Sequence, residues 1–331
     1  MINLTKFSSQ NIWRKKIDLS FINIDLESEQ NTAETIGSIQ PDLILNTATL
    51  QTYWIFDELP QPIRAGINSA GVGPWTSLHM YPVYKLMKAI KLSDCNAFVI
   101  NTAFPDAVNP ALKTLNLSPD SGAGNLANLV PAIIEAARIQ CPEVNDDVIY
   151  CKFTGHHSCS NSMPSFGHTR GAPYSLNFYV NGDDITSRFD ISRIGQDIKH
   201  KLPRTRGKEG MWVTGSSVVN LIKSVLSEDY VETHAPGIDG LPGGYPVLAG
   251  KGSIKLSLPE TLDQATAIKI NEDGQKYDGI EEISPEGYLN YTERSSQIIE
   301  DVTGITLDRF IFNDVEDYSC PCQRESFLKK N

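Results

Sequence analysis

The sequence predicts an α/β chain, an open parallel sheet followed by a second α+β domain, and three observations carry that prediction. "PDLILNTATL" (41–50) and "NAFVINTA" (96–103) are unbroken apolar runs that end in small polar residues. Strands buried on both faces of a parallel sheet read this way. Helical spacing fills the stretches between these runs and "DDVIYCKF" (146–153), the strand–helix alternation that builds parallel sheets. Beyond about residue 174 the pattern changes to antiparallel alternation around glycine turns, as in "YPVLAGKGSIKLSLPET". The expected division is a sheet domain over 1–150 and an α+β domain over 151–331.

Taken in order, "DLSFINI" (18–24) reads as a strand and "EQNTAETIGSI" as a helix. An aromatic loop with turn residues (51–77) precedes "LHMYPVYKLMKAIKL", helical in spacing despite Pro82. "GNLANLVPAIIEAARIQ" opens a helix from a glycine-rich turn, and "YSLNFYVNGDDIT" reads as a strand and turn. Helical patterns follow near 187–202 and 212–227, then in "TLDQATAIKINEDGQ" and "RSSQIIEDVTG", with "GIEEISPEGYLNYT" as a hairpin. Ligands of an open parallel sheet bind outside the carboxyl ends of its strands. That rule sets "NTAT" (46–49), "NTAFPD" (101–106) and the "GHH" turn (155–157) along one edge. They are expected to face one crevice, with the loop 51–77 as a movable wall.

A net charge of −11 argues against nucleic acid or an anionic membrane as the main partner. No 18-residue apolar run is present, so no membrane span is expected, and "MINLTKFSSQNIWRKK" lacks the apolar core of a secretory signal. Six irregularly spaced cysteines in 331 residues read as reduced thiols, and the expected location is cytoplasmic.

"TGHHSCSNSMPSFGHTRGAPY" (154–174) holds three of the six histidines. The imidazole pKa lies closest to neutrality among side chains, so His156 and His157 are candidates for proton transfer. The bland alternative is a loop histidine satisfied by backbone, and His168 is assigned to structure. A metal is not expected: Cys159 and the "SCPC" of 319–322 fall short of a ligand set. "HKLPRTRGKEG" (200–210) is the basic cluster of an acidic chain, a solvated loop or a receiver of a substrate anion.

Four segments in order resemble the lactate/malate dehydrogenase superfamily: "LHMYPVYKLMKAI…NAFVINTAFPDAVNPAL", "GAGNLANLVPAI", "GHHSCSNSMPSFGHTRGAPY" and "GGYPVLAGKGSIKLSLPETLDQA". The resemblance covers roughly residues 40–270 and implies an incomplete Rossmann-like parallel sheet with that family's α+β domain. The first strand and G-x-G-x-x-G turn have no counterpart; "AGVGPW" (70–75) does not follow a strand. The chain therefore resembles an N-terminally shortened, divergent member.

What the resemblance implies is an NAD- or NADP-dependent oxidoreductase acting on a small hydroxy, keto or imine metabolite. His157 would be the general acid/base, with His156 as the alternative assignment. Asn128 would orient the imidazole from the place of the family's aspartate, and Pro131 stands where its arginine would. Thr47, Ala48, Thr49 and Asn101 would touch the cofactor, and Arg64, Ser216 and Ser217 the substrate. Cofactor binding is expected to be weak, and a homo-oligomer is expected. The alternative is a catalytically reduced homologue that binds a small ligand or serves as a partner subunit.

Overall fold

A computed structural model describes residues 18–143, 149–205, 207–307 and 309–318. Residues 18–24 do not form the expected strand; Phe21 and Ile22 are 67% and 51% exposed. An apolar pattern records a tendency to be buried, but a strand needs a neighbour to pair with, and this segment has none. Helix α1 (Glu29–Ile39) buries Ala33 and Ile36 and leads into strand β1 (Leu43–Asn46). The segment expected as a loop over 51–77 is largely helical: a 3-10 turn at Tyr53–Glu58, then helix α2 (Gln61–Ala70). Its Ile67 and Ala70 pack with Trp75 and Ile299, which makes it a packed wall rather than a movable one.

Helix α3 (Thr76–Ser93) absorbs Pro82, and strand β2 (Phe98–Asn101) and helix α4 (Pro105–Thr114) follow. The parallel sheet is completed by β3 (Ser121–Gly122), in the order β1-β2-β3 with Asn46 beside Asn101 and Asn101 beside Gly122. This corrects the expected third strand. After helix α5 (Val130–Gln140), residues Ile149–Gly155 form β4, which runs antiparallel to β5 (Tyr174–Val180) in a different sheet. A short apolar run marks a buried strand and says nothing of its partner's direction. β3 was missed because its two small residues carry no apolar signal; Gly122 is pressed against Pro105, where a Cβ would stand 2.2 Å from that ring's Cβ.

Helix α6 (His157–Phe166) separates β4 from β5. The six-stranded antiparallel sheet runs β6-β5-β4-β8-β7, with β6 at Asp183–Asp184, β7 at Val231–Pro236 and β8 at Gly244–Gly250. Strand β9 (Ser253–Leu256) pairs with β8. Helices α7 (Ile191–Lys201) and α8 (Met211–Val225) precede β7, and helix α9 (Gln264–Gln275) follows β9. Strands β10 (Ile280–Ser284) and β11 (Tyr288–Tyr291) form the expected hairpin, joined by β12 (Phe310–Ile311) after helix α10 (Glu293–Thr303).

Three apolar clusters tie these layers together. Phe153, Phe178, Ile133 and Ile194 fill the space between the antiparallel sheet and α5 and α7. Ile100, Val218, Tyr245 and Val247 join the parallel sheet to the antiparallel one. Met80, Val108 and Leu112 of the early helices pack with Ile280, Leu289 and Phe310 of the last sheet. The last cluster matters for function, because it carries the turn just before β10 back to the start of α6.

Candidate active site

Strand β2 ends in an internal brace rather than an open ligand contact. Asn101 is fully buried, and its amide donates to Asn109 Oδ1 (2.9 Å) and the Ala103 carbonyl (3.1 Å). Its carbonyl oxygen accepts from Asn46 Nδ2 and the Ala103 N–H, both at 2.9 Å. The chain then turns through Phe104 with φ +44°, a left-handed conformation that bulky residues rarely adopt. That turn sets the Phe104 ring at 5.3 Å from His157, 6.4 Å from His156 and 6.1 Å from His79, centroid to centroid.

The histidine pair lies where β4 ends. His156 is the last extended residue and His157 the first of α6. His156 Nδ1 lies 2.9 Å from Asp278 Oδ2, and His157 Nδ1 lies 3.2 Å from both oxygens of the same carboxylate. With Asp278 ionised and accepting, each Nδ1 carries the hydrogen and each Nε2 the lone pair. His156 is wholly buried, with Nε2 unpartnered among the described residues, whereas the His157 side chain is 13% exposed. Asn161 Nδ2 stands 3.5 Å from His157 Nε2, and Arg204 holds the Asn161 oxygen at 3.3 Å.

The electrostatics follow from this geometry. Burial alone would depress the His157 pKa, but the Asp278 charge and hydrogen bond, with Asp106 behind them, raise it. Burial pushes the Asp278 carboxyl up, yet the His157 charge and the two imidazole hydrogen bonds hold it well below the usual carboxylate range. His79 is held at about 4 by burial and by the nearby His157.

Asp278 is fixed by close backbone contacts. Gly71 has φ +84°, and a Cβ there would lie 2.4 Å from the Asp278 carbonyl carbon. A Cβ on Gly73 would meet the Asp278 oxygen at 2.7 Å. The glycine pair of "AGVGPW" therefore serves close approach to the turn that carries Asp278. Gly274 of α9 does the same for His156, where a Cβ would come within 2.7 Å of the histidine Cβ.

The remaining sequence candidates sit as follows. Asn128 does not hydrogen bond to His157; its amide donates to Thr214 Oγ1 of α8 at 2.9 Å. Asp278, 121 positions along the chain from His157, stands against the imidazole where Asn128 was expected, because tertiary closure and not local spacing brings it there. Thr47 is exposed at the end of β1. The Ala48 N–H donates to Asn46 Oδ1, and the Thr49 hydroxyl bridges Gln51 O and His79 Nδ1. Ser216 and Ser217 turn their hydroxyls back to Val213 O and Thr214 O within α8. Arg64 stands on α2. His168 accepts from the Arg170 N–H in a turn, and Cys159 is buried with its thiol pushed up to about 12. The "SCPC" stretch lies outside the described residues.

Sequence reasoning missed His79, Asp106 and Asp278. The first was hidden in an amphipathic helix and the last in an ordinary Asp-Gly turn signal. The paired glycines at 71 and 73 were the available hint that backbone approaches closely there. A cleft of about 510 Å³ that does not include the histidine pair is lined by Glu29, Tyr84, Lys88, Lys91 and Leu117 among others.

The residues assigned to a dinucleotide fit that role poorly. Asn101 has no free hydrogen-bonding group, Ala48 and Thr49 are engaged within the fold, and only Thr47 of the four is exposed. Among the described residues no helix is long and apolar enough to cross a membrane.

No protein-family profile matches the sequence, and no curated protein does. Among solved structures the chain is similar to malate dehydrogenase from Picrophilus torridus, at 15% identity over 83% of each chain and a TM-score of 0.49. A lactate dehydrogenase from a Medee basin deep-sea metagenome library gives 10% identity, 83% of this chain, 85% of that one and a TM-score of 0.48. The 6-phospho-beta glucosidase from Thermotoga maritima gives 10% identity, 99% and 87% coverage and a TM-score of 0.49.

Proposed function

We propose that the chain is an acid–base enzyme of the dehydrogenase type, acting on a hydroxyl, keto or imine group of a small metabolite. His157 Nε2 is the atom that takes or returns the proton. The observation that carries this reading is the Asp278 carboxylate on His157 Nδ1, which fixes the tautomer and stabilises the imidazolium as the proton arrives. His157 is preferred to His156 because its ring reaches the surface while that of His156 is sealed.

A dehydrogenase reaction also needs a hydride carrier, and the sequence resemblance implies NAD or NADP. Because the assigned cofactor residues are largely spent inside the fold, no step is derived through the nicotinamide. Binding to this chain is expected to be weak, with a Kd on the order of 1 mM, about −4 kcal/mol.

The test is a screen of small 2-hydroxy, 2-keto and imino compounds with NADH and NADPH, paired with calorimetric titration of each cofactor. His157→Asn is expected to lower kcat by on the order of 10²-fold or more, the scale of general acid–base catalysis. Full turnover by that variant would remove His157 from the chemistry. Micromolar cofactor binding would show a cradle made by residues other than the four named.

A further inference from the structure

His157 opens α6, and Asn161 stands one turn on, at the i,i+4 spacing that sets two helical side chains side by side. Asn161 is exposed, and its Nδ2 lies 3.5 Å from His157 Nε2. Arg204 Nη1 donates to Asn161 Oδ1 at 3.3 Å and to the Ser160 carbonyl at 2.9 Å. Arg204 comes from the loop after α7, 43 positions from Asn161, so the fold and not the helix supplies it.

A guanidinium carries N–H donors and no acceptor. The Asn161 amide therefore turns its oxygen to Arg204 and its NH2 to His157. At the other edge of the ring, Asp278 accepts from Nδ1, which leaves the lone pair on Nε2. The two ends agree. Arg204 donates to Asn161, Asn161 to His157, and His157 to Asp278, so the N–H groups run in one direction from a cation to an anion. Hydrogen bonds aligned in this way polarise one another. Protonation of Nε2 sets donor against donor, and the amide relieves that only by giving up Arg204.

We propose that Asn161, oriented by Arg204, is a positioning residue that keeps the lone pair of His157 at Nε2, so that the ring rests as a proton acceptor. The group it meets must then bring a proton, as a hydroxyl or amine does and a carbonyl does not. That consequence rests on the function proposed above; the orientation itself does not. Asp278 accepts from Nδ1 in both protonation states, whereas Asn161 supports the neutral ring alone, and its removal favours imidazolium. The charged and titratable groups about the ring are Asp278, the His156 that shares it, Asp106, His79 and Arg204. Asn161→Ala leaves all of them in place.

The test is an NMR pH titration of the labelled histidine rings in the full chain, unaltered and as Asn161→Ala, Arg204→Met and the double variant. Asn161→Ala is expected to move the His157 midpoint up by about half a pH unit, the scale of one weak hydrogen bond. Arg204→Met frees the amide to turn its oxygen to Nε2, so on that background the upward move from Asn161→Ala is expected to vanish. A midpoint that stays or falls in Asn161→Ala overturns the proposal, and so does an equal rise on both backgrounds. If Arg204→Met does not fold, the sign of the move in Asn161→Ala, at an exposed position, decides alone. The expected titrations alongside full turnover by His157→Asn would sink the proposed function and leave this orientation standing. The reverse pairing would sink only the orientation.

Discussion

Replacing Asp278 with asparagine tests the centre of the site, and its consequences can be worked from the geometry. The carboxylate accepts from Nδ1 of both His156 and His157. An asparagine oxygen accepts from one, and its NH2 then faces the other donor. One hydrogen bond is lost and one buried donor is left unmet, a cost of about 1–3 kcal/mol. For a chain of 331 residues, with an unfolding entropy of about 2.1 cal/mol/K per residue, that lowers Tm by roughly 1–4 °C. Burial acts against the charged form of His157, and the Asp278 charge and hydrogen bond outweigh it. With the carboxylate gone, burial prevails, and the His157 pKa is expected to fall below its ordinary value of about 6.5. A raised folded pKa stabilises fully below the unfolded value and ceases to stabilise as pH rises through the folded value. The deficit of Asp278→Asn is therefore larger at pH 6 than at pH 9. The assay is histidine-ring NMR against pH, with melting curves at both pH values. An unchanged or higher His157 pKa in the variant would refute the reasoning.

Two further outcomes follow from groups around this centre. Gly71→Ala forces a Cβ into the Asp278 backbone at a φ of +84° and is expected to cost about 2–4 kcal/mol in denaturant unfolding, lowering the His157 pKa as Asp278 shifts. Gly182→Ala, at φ +92° with nothing within 4 Å, is the control for backbone strain alone, about 1 kcal/mol; equal losses for the two would remove the interlock argument. Burial holds His79 and His234 down to about 4, so the unfolded chain takes up their protons first as pH falls from about 6.5 toward 4. Each is expected to cost about 2 kcal/mol at pH 5 relative to pH 8, and urea midpoints that do not move between those pH values would show that neither imidazole is held neutral.

The sequence by itself determined the alternation of strands and helices, because each such element records its burial in a local period. The runs at 41–50 and 96–103 became paired parallel strands, and the hairpin and helices from 264 to 303 formed where their spacing put them. It also singled out His156 and His157, since two titratable rings beside Gly155 at a strand end form a local signal. What it could not determine was pairing and company. Whether 149–155 joined the parallel sheet or an antiparallel one depended on partners far along the chain. A two-residue strand such as Ser121–Gly122 leaves no pattern at all. The partner of the histidines was decided by the packing of β10 and β11 against α3 and α4, which returns Asp278 to the start of α6. Asn101 ends its strand as expected, but only the neighbouring asparagines reveal that its amide is already satisfied. Local periodicity encodes which surfaces are buried; the identity of what lies across each surface is a property of the closed chain.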